Sequence, residues 1–350
     1  MRSFIIKTAL FITPFFLLYG VNAFFYDKNE GGLTRIGFMY GNPLPMSSVN
    51  QRFSIEKKYK SVSELSDKTK TSYDAFIIGD SFSKQDSLGY KNYLANKNTS
   101  VLYMDSHLTG RNPVQKLVNL VNGGFTDSLQ VDYVVLQSVE RAIVWRCKNI
   151  DFDESTQFNY LKKTSDKDKP KTKNRKKKPK TNFFTDAIFK IPLTNLLYSF
   201  TPKPLDSQTY KVRASSKELF TGGPEHILFY EGDIHALSLN NDVQKIENTN
   251  QVLNKVNKLL LEKGVKLVVL IAPDKYDLYY PYIAEGYDLD EPLFFNYFDQ
   301  LEKNYLYVPS KKVLSESIKN NKDVYFYDDS HWSPLAAEII AKEIKKLMDE

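Results

Sequence analysis

The chain has 350 residues, 42% of them hydrophobic and 14% aromatic, which is enough for one large α/β domain with insertions or for two modest domains. Its formal net charge of +6 is unevenly spread: residues 162–180, KKTSDKDKPKTKNRKKKPK, hold eleven Lys or Arg and two Asp, leaving about −3 for the rest. The body is therefore no basic nucleic-acid-binding surface, and its single cysteine, Cys147, excludes an internal disulfide.

The N-terminus reads MRSFIIKTALFITPFFLLYGVNAFF, with Arg2 and Lys7 early and an apolar stretch from Ala9 to Phe25. As a helix, Phe4 to Phe25 is about 33 Å long, enough to cross a bilayer. Positive charge before the span and YDKNEGG after it predict the N-terminus inside and the body outside. The rival is a signal peptide cleaved after VNA, before Phe24. The length of the span favours an uncleaved anchor. Residues 1–25 are thus an anchor or signal segment, and residues 26–70 a linker and lead-in in which YGNPLP reads as turn and extended chain.

From residue 71 the pattern is α/β. An apolar strand, Phe76 to Ile78, stops at Gly79, and SKQDSLGYKNYLANK after it reads as a helix. SVLYMD (100–105) is a second strand. NPVQKLVNLVNGG (112–124) is a helix opened by Asn112-Pro113 and closed by Gly123-Gly124. VDYVVLQ (131–137) is a third strand. Strand–helix–strand–helix–strand implies parallel strands with crossover helices. Residues 146–235 interrupt this rhythm as a long insertion. Within it the lysine-rich stretch 162–180 reads as a solvated, disordered loop whose charges repel, or alternatively as a contact to an anionic polymer or lipid headgroups. The rhythm returns with a helix at NDVQKIENTNQVLNKVNKLLLEKG, closed by Gly264, and a fully buried strand, VKLVVLIAP. A last strand, DVYFYD (323–328), precedes a last helix, PLAAEIIAKEIKKLM.

Ser81 follows the first of these strands in GDSFS, at the carboxyl end of a parallel sheet, where open α/β sheets place their ligand sites. Gly79 allows a sharp turn, and a helix after it would aim its N-terminus at the hydroxyl. A serine needs a base to become a nucleophile. Of the four histidines, His107, His226 and His235 sit in poor contexts for a base, whereas His331 lies at the same sheet edge as Ser81, in YDDSHWSP. Asp328 and Asp329 stand three and two residues before it, either able to orient its ring. Glu140 and Arg141, at the end of the third strand, read either as a structural ion pair or as substrate contacts. Lys275 reads as an anion ligand or a solvated side chain. Trp145 and Trp332 read as sugar-stacking or core residues. No His, Cys, Asp or Glu set has metal-ligand spacing, and no phosphate-binding glycine motif occurs, so neither metal nor nucleotide cofactor is implied.

GDSFS and DDSHW resemble the first and last motifs of SGNH (GDSL-type) hydrolases. More narrowly, the chain resembles the AlgX/AlgJ-like and DHHW-type branch of bacterial polysaccharide O-acetyltransferases. Gly79, Ser81 and Ser83 match its G-x-S-x-S motif, and Asp329, His331 and Trp332 its D-x-H-W motif. VVLQSVER and VKLVVLIAPDKYDLYYPYI resemble two further strands of that branch, so the likeness covers most of residues 70–345. It implies a three-layer α/β/α SGNH-type fold over residues 71–350, behind an N-terminal transmembrane helix. It also implies a Ser81–His331–Asp triad, with Asp329 fitting D-x-H-W and Asp328 the D-x-x-H of ordinary members. The activity implied is extracytoplasmic acyl transfer to or from a polysaccharide, with a polytopic membrane acyltransferase as partner. A carbohydrate esterase and a non-catalytic polysaccharide-binding or assembly factor are the alternatives. The Gly-x-Asn-Asp block of ordinary SGNH hydrolases is absent at LQSVER. Oxyanion donors are then the Ser81 amide, Gly110, where the family's second-block glycine falls, and Arg111 beside it.

Overall fold

The structure, a computed structural model, describes residues 1–26, 31–40, 44, 46–65, 72–158 and 187–350. The elements that place the site are, in chain order, helices α1 (Arg2–Tyr26), α2 (Gly32–Ile36), α3 (Tyr90–Ala95), α4 (Pro113–Asn122), α5 (Glu140–Cys147), α6 (Ala187–Leu197), α7 (Val243–Leu261), α8 (Lys275–Tyr279), α9 (Ser310–Ile318) and α10 (Pro334–Asp349). The strands are β1 (Lys60–Ser61), β2 (Ser72–Ile78), β3 (Val101–Tyr103), β4 (Gln130–Val139), β5 (Thr209–Arg213), β6 (His226–Tyr230), β7 (Lys266–Ala272) and β8 (Leu306–Tyr307).

Six strands form one sheet in the order β1-β3-β2-β4-β7-β8, and every pair in it is parallel. Parallel strands are buried on both faces, and alternate side chains of each strand enter opposite layers. Ala75, Ile77, Val135, Val268 and Leu270 face one layer, with Ala337, Ile340 and Ile344 of α10. Phe76, Ile78, Val134, Leu136, Leu267 and Val269 face the other, with Leu117 and Val121 of α4 and Leu253 and Leu260 of α7. This is the expected three-layer α/β arrangement on a parallel sheet. α4 opens on Asn112, whose side chain accepts from the Val114 and Gln115 amides, with Pro113 at the first turn. α7 opens on Asp242, and Gly264 just beyond it takes a left-handed φ of 75°.

β2 has β3 on one side and β4 on the other, so the chain reverses its winding direction there. Such a switch point leaves a crevice at the carboxyl ends of the strands, and Ser81 lies at that end of β2.

Three local expectations need correction. The stretch after Ser81 is not one helix: it forms 3₁₀ turns at Ser81–Ser83 and Asp86–Leu88, then α3. Gly89, extended at φ −89° and ψ 156°, separates them, so no helix N-terminus faces the serine directly. DVYFYD is not a sheet strand; its one ladder contact is an isolated antiparallel bridge between Tyr325 and Trp332. Its backbone groups are taken by other partners: Lys275 Nζ donates to the Phe326 and Tyr327 carbonyls, the Leu33 amide donates to the Asp328 carbonyl, and the Tyr325 amide donates to the Tyr279 hydroxyl. The sheet edge is β8 instead. Finally, the lead-in is built into the fold, because β1 extends the sheet beside β3 and α2 packs on the loop before α10.

In the interrupting segment, β5 and β6 form an antiparallel hairpin whose Val212, Ile227, Leu228 and Phe229 join the layer containing α10. The lysine-rich stretch 162–180 lies outside the described residues. α1 contains a 23-residue run, Arg2–Phe24, long and apolar enough to cross a membrane, and its apolar side chains from Phe4 to Leu17 are exposed.

Candidate active site

The turn after β2 is closely packed. A Cβ at Gly79 would lie 2.3 Å from Ser83 Oγ and 2.5 Å from Gln137 Oε1, so the glycine answers to close approach rather than to an unusual φ. Ser83 is buried. Its hydroxyl donates to Gln137 Oε1 at 2.8 Å and lies 2.8 Å from the Tyr90 hydroxyl. Asp80 pins the turn from below. Its carboxylate accepts from the Phe82 amide, from the Val139 amide at 2.8 Å and from Arg146 Nη1 at 2.6 Å. Burial alone would raise this carboxyl. Arg146 and the two amides outweigh it and hold Asp80 below the ordinary range. Arg146→Met leaves that buried carboxylate unpaired, and a loss of about 3–5 kcal/mol is expected in urea unfolding. An unchanged midpoint would remove this support for the turn.

The result is an exposed Ser81 on a fixed backbone. Its Oγ lies 2.8 Å from His331 Nε2, and His331 Nδ1 lies 2.6 Å from Asp329 Oδ1. The same Oδ1 accepts the His331 amide at 3.0 Å, and Oδ2 accepts the Gly32 amide at 3.2 Å. Burial pushes the Asp329 carboxyl up. The His331 bonds and the Gly32 amide more than compensate, holding it down at about 2. Hydroxyl, imidazole and carboxylate thus stand in one hydrogen-bonded line, able to pass a proton from oxygen to ring while the carboxylate fixes the tautomer.

Asp328 points elsewhere. It is buried and lies against Gly31, where a Cβ would sit 2.1 Å from its Oδ2. Burial raises its carboxyl, with Lys275 opposing. The geometry joins Asp329, and not Asp328, to His331. Lys275 is neither an anion ligand nor solvated. It is fully buried, and its ammonium donates to the carbonyls of Phe326 (2.7 Å), Tyr327 (2.6 Å) and Asp329 (3.2 Å), tying the loop to α8.

Trp332 is also fully buried, which favours the core reading and leaves no ring face for a sugar. It packs edge-on to Phe82 at 4.9 Å, its Nε1 donates to Gln85 Oε1, and Gln85 Nε2 donates back to its carbonyl at 2.7 Å. This clasp holds the histidine loop against the serine turn, and the Phe82 ring stands 4.7 Å from the His331 ring. Glu140 is buried and accepts the Asp274 amide at 2.8 Å. Arg141 pairs with Asp233 at 3.0 Å and Asp274 at 2.7 Å. The two are therefore not an ion pair with each other; they join the ends of β4 and β7, and Glu140 offers nothing to a substrate. Gly110 closes a short turn of helix with φ 73°, and Arg111 beside it is exposed. Neither bonds to Ser81, His331 or Asp329. The Ser81 amide donates to no protein acceptor among the described residues.

Sequence reasoning missed Asp80, Gln137, Gln85 and Arg146, and above all the Gly31-Gly32 pair that opens α2. Gly32 is the first residue of α2, where proline is tolerated. Gly32→Pro removes the amide that holds Asp329 and, like Gly32→Ala, adds a Cβ about 3.3 Å from Asp329 Oδ2, so relative to Gly32→Ala its kcat is expected to fall about tenfold, the value of one charge-assisted hydrogen bond. Gly32→Ala keeps the amide and is the control. Equal activity in the two variants would mean that this bond does not position Asp329.

A parallel α/β sheet with this serine turn and histidine loop fits an SGNH-like fold. The comparisons with known proteins agree. Residues 222–350 match the family model described as SGNH hydrolase-like domain, acetyltransferase AlgX. That stretch holds Asp329 and His331 but not Ser81. The chain is 25% identical over 124 residues to a probable alginate O-acetylase AlgJ of Pseudomonas syringae, covering 35% of this chain and 31% of that protein. It is 28% identical over 103 residues to the Pseudomonas aeruginosa protein of the same description, covering 29% and 26%. The matched stretches thus span about a third or less of these relatives. No solved structure matches the chain. The AlgX/AlgJ-like branch of the SGNH proteins is supported by both the family model and these relatives.

Proposed function

We propose that the protein is a membrane-anchored, extracytoplasmic O-acyltransferase that carries an acetyl group on Ser81 to a hydroxyl of an exported or cell-envelope polysaccharide. The observation that carries this reading is the Ser81–His331–Asp329 line, whose 2.8 and 2.6 Å spacings are of hydrogen-bond length. A protein that only binds polysaccharide has no use for such a line. The similarity to alginate O-acetylases supports the choice of acceptor class.

Ser81 Oγ attacks the carbonyl carbon of an acyl ester and gives its proton to His331 Nε2. Asp329 stabilises the imidazolium that forms. The carbonyl oxygen, now negative, is met by the free Ser81 amide, with Gly110 and Arg111 as candidate further donors. Collapse expels the donor's alkoxide, which takes the proton from His331 and leaves acyl-Ser81. A sugar hydroxyl then enters, His331 removes its proton, and the second collapse releases the acylated sugar and returns the proton to Ser81. Water in place of the sugar makes the same site an esterase. The test is to supply the full-length protein with an acyl-ester donor, with and without candidate glycans. Transfer predicts acetyl recovered on the glycan at the expense of free acetate. Free acetate unchanged by any glycan would support the esterase, and no donor consumption would support a binding factor. A polytopic membrane acyltransferase, the partner class the resemblance implies, would supply such a donor from across the bilayer.

A further inference from the structure

The apolar residues of α6 face the wrong way for a helix in water. Phe189, Leu193, Leu196 and Leu197, with Phe200 just beyond, recur at i, i+4, i+7, i+8 and i+11, one face of a 3.6-residue repeat. That face is open: the five side chains are 58, 56, 58, 37 and 80% exposed. The opposite face does the packing. Ile191 and Thr194 are buried, Asn195 Nδ2 donates to the Phe38 carbonyl at 2.9 Å, and Asn195 Oδ1 accepts the Tyr40 amide. The Tyr40 hydroxyl in turn bonds Asn22, and α6 packs against α1. Asn22 lies at the body end of the apolar run Arg2–Phe24, so α6 sits at the level where that run ends.

We propose that the outward face of α6 lies on a lipid bilayer, as an interfacial helix parallel to the membrane beside the anchor. The inference rests on the anchor reading of α1. Two observations choose lipid over a second copy or another protein. The face is continuous with a helix whose own apolar surface is uncovered and long enough to span. The sequence just ahead of α6, residues 162–180, carries eleven basic and two acidic side chains, the charge pattern that anionic headgroups attract. The body is then held at two places, which fixes its tilt on the membrane. Gly32, the donor to Asp329, follows Tyr26 by six residues, a reach of at most about 22 Å, so this tilt sets where the Ser81 cleft opens relative to the lipid.

The test uses the full-length chain in vesicles of phosphatidylethanolamine and phosphatidylglycerol. An environment-sensitive dye is placed by Leu193→Cys, Leu196→Cys, Leu10→Cys or Leu261→Cys, one at a time. Native Cys147 is buried, which pushes its thiol up to about 12, and it stays unlabelled. Leu261 is an exposed leucine on α7 and serves as control. Lipids carrying a nitroxide at the headgroup or upper acyl chain are expected to remove most of the emission at 193 and 196 and little at 261. Emission at 193 and 196 no more quenched than at 261 overturns the proposal. So does dye self-quenching there without nitroxide quenching, which would assign the face to a second copy. Leu10 lies mid-span and reads the anchor separately, with the nitroxide placed low on the acyl chain: quenching at 10 but not at 193 and 196 rejects the interfacial helix alone. Quenching at 193 and 196 but not at 10 keeps the surface helix and rejects the span.

Discussion

Ser81→Ala is expected to abolish acyl transfer, by about 10⁴- to 10⁶-fold, while leaving the protein folded. The hydroxyl is exposed, and the contacts that shape the turn belong to its neighbours: Ser83 with Gln137, Asp80 with Arg146, Gln85 with Trp332. Removing one exposed oxygen therefore changes unfolding stability by no more than about 0.5 kcal/mol. His331→Ala should be similarly inactive, because without the base the hydroxyl keeps its proton. The double variant should be hardly worse than either single one, since nucleophile and base act as a unit. Multiplying losses in the double variant would mean that the two residues act independently.

Asp329→Asn is the second large effect, a fall of about 10²- to 10⁴-fold in turnover. An amide in that place can turn its NH₂ toward Nδ1, which leaves Nε2 as the protonated nitrogen and unable to accept from Ser81. Asp328→Asn should leave turnover close to wild type, because Asp328 faces Gly31 and Lys275 rather than the imidazole. The reverse order would transfer the role to Asp328. The same substitution has a pH signature. The Asp329 carboxyl is held at about 2 in the fold, against about 3.9 in an unfolded chain. Between those values the unfolded state binds more protons, so the contribution to stability is complete above about pH 4 and is lost as pH falls toward 2. Asp329→Asn should flatten that part of the acid unfolding curve. An acid limb identical to wild type would contradict the bonding seen around Asp329.

Ser81, His331 and the Asp pair were legible because each lies in a short local motif at the end of a recognisable element. The parallel sheet was legible from buried apolar strands alternating with capped helices, as with Asn112-Pro113 before α4. The choice between Asp328 and Asp329 was open in sequence because two adjacent residues both have workable spacing to His331. Folding separates them, since neighbours point to different sides of the chain. DVYFYD has strand composition, yet several of its backbone groups are satisfied by Lys275, Leu33 and Tyr279, partners 46 or more positions away. Trp332 illustrates the same limit. Sequence left it open between sugar stacking and core packing, and its indole is enclosed by Phe82, Tyr90 and Gln85. The outward face of α6 had a helical period in sequence, but period alone does not tell which side of a helix is covered.

The most direct test of the central claim is to mix the full-length protein briefly with an acyl-ester donor in the absence of glycan, quench with acid, and map the acyl group by peptide mass spectrometry. The expected result is a single acetyl on the peptide bearing Ser81, absent in Ser81→Ala and discharged when an acceptor glycan is added before the quench. Turnover that proceeds with no acetyl on Ser81, or with the acetyl on another residue, would contradict the mechanism.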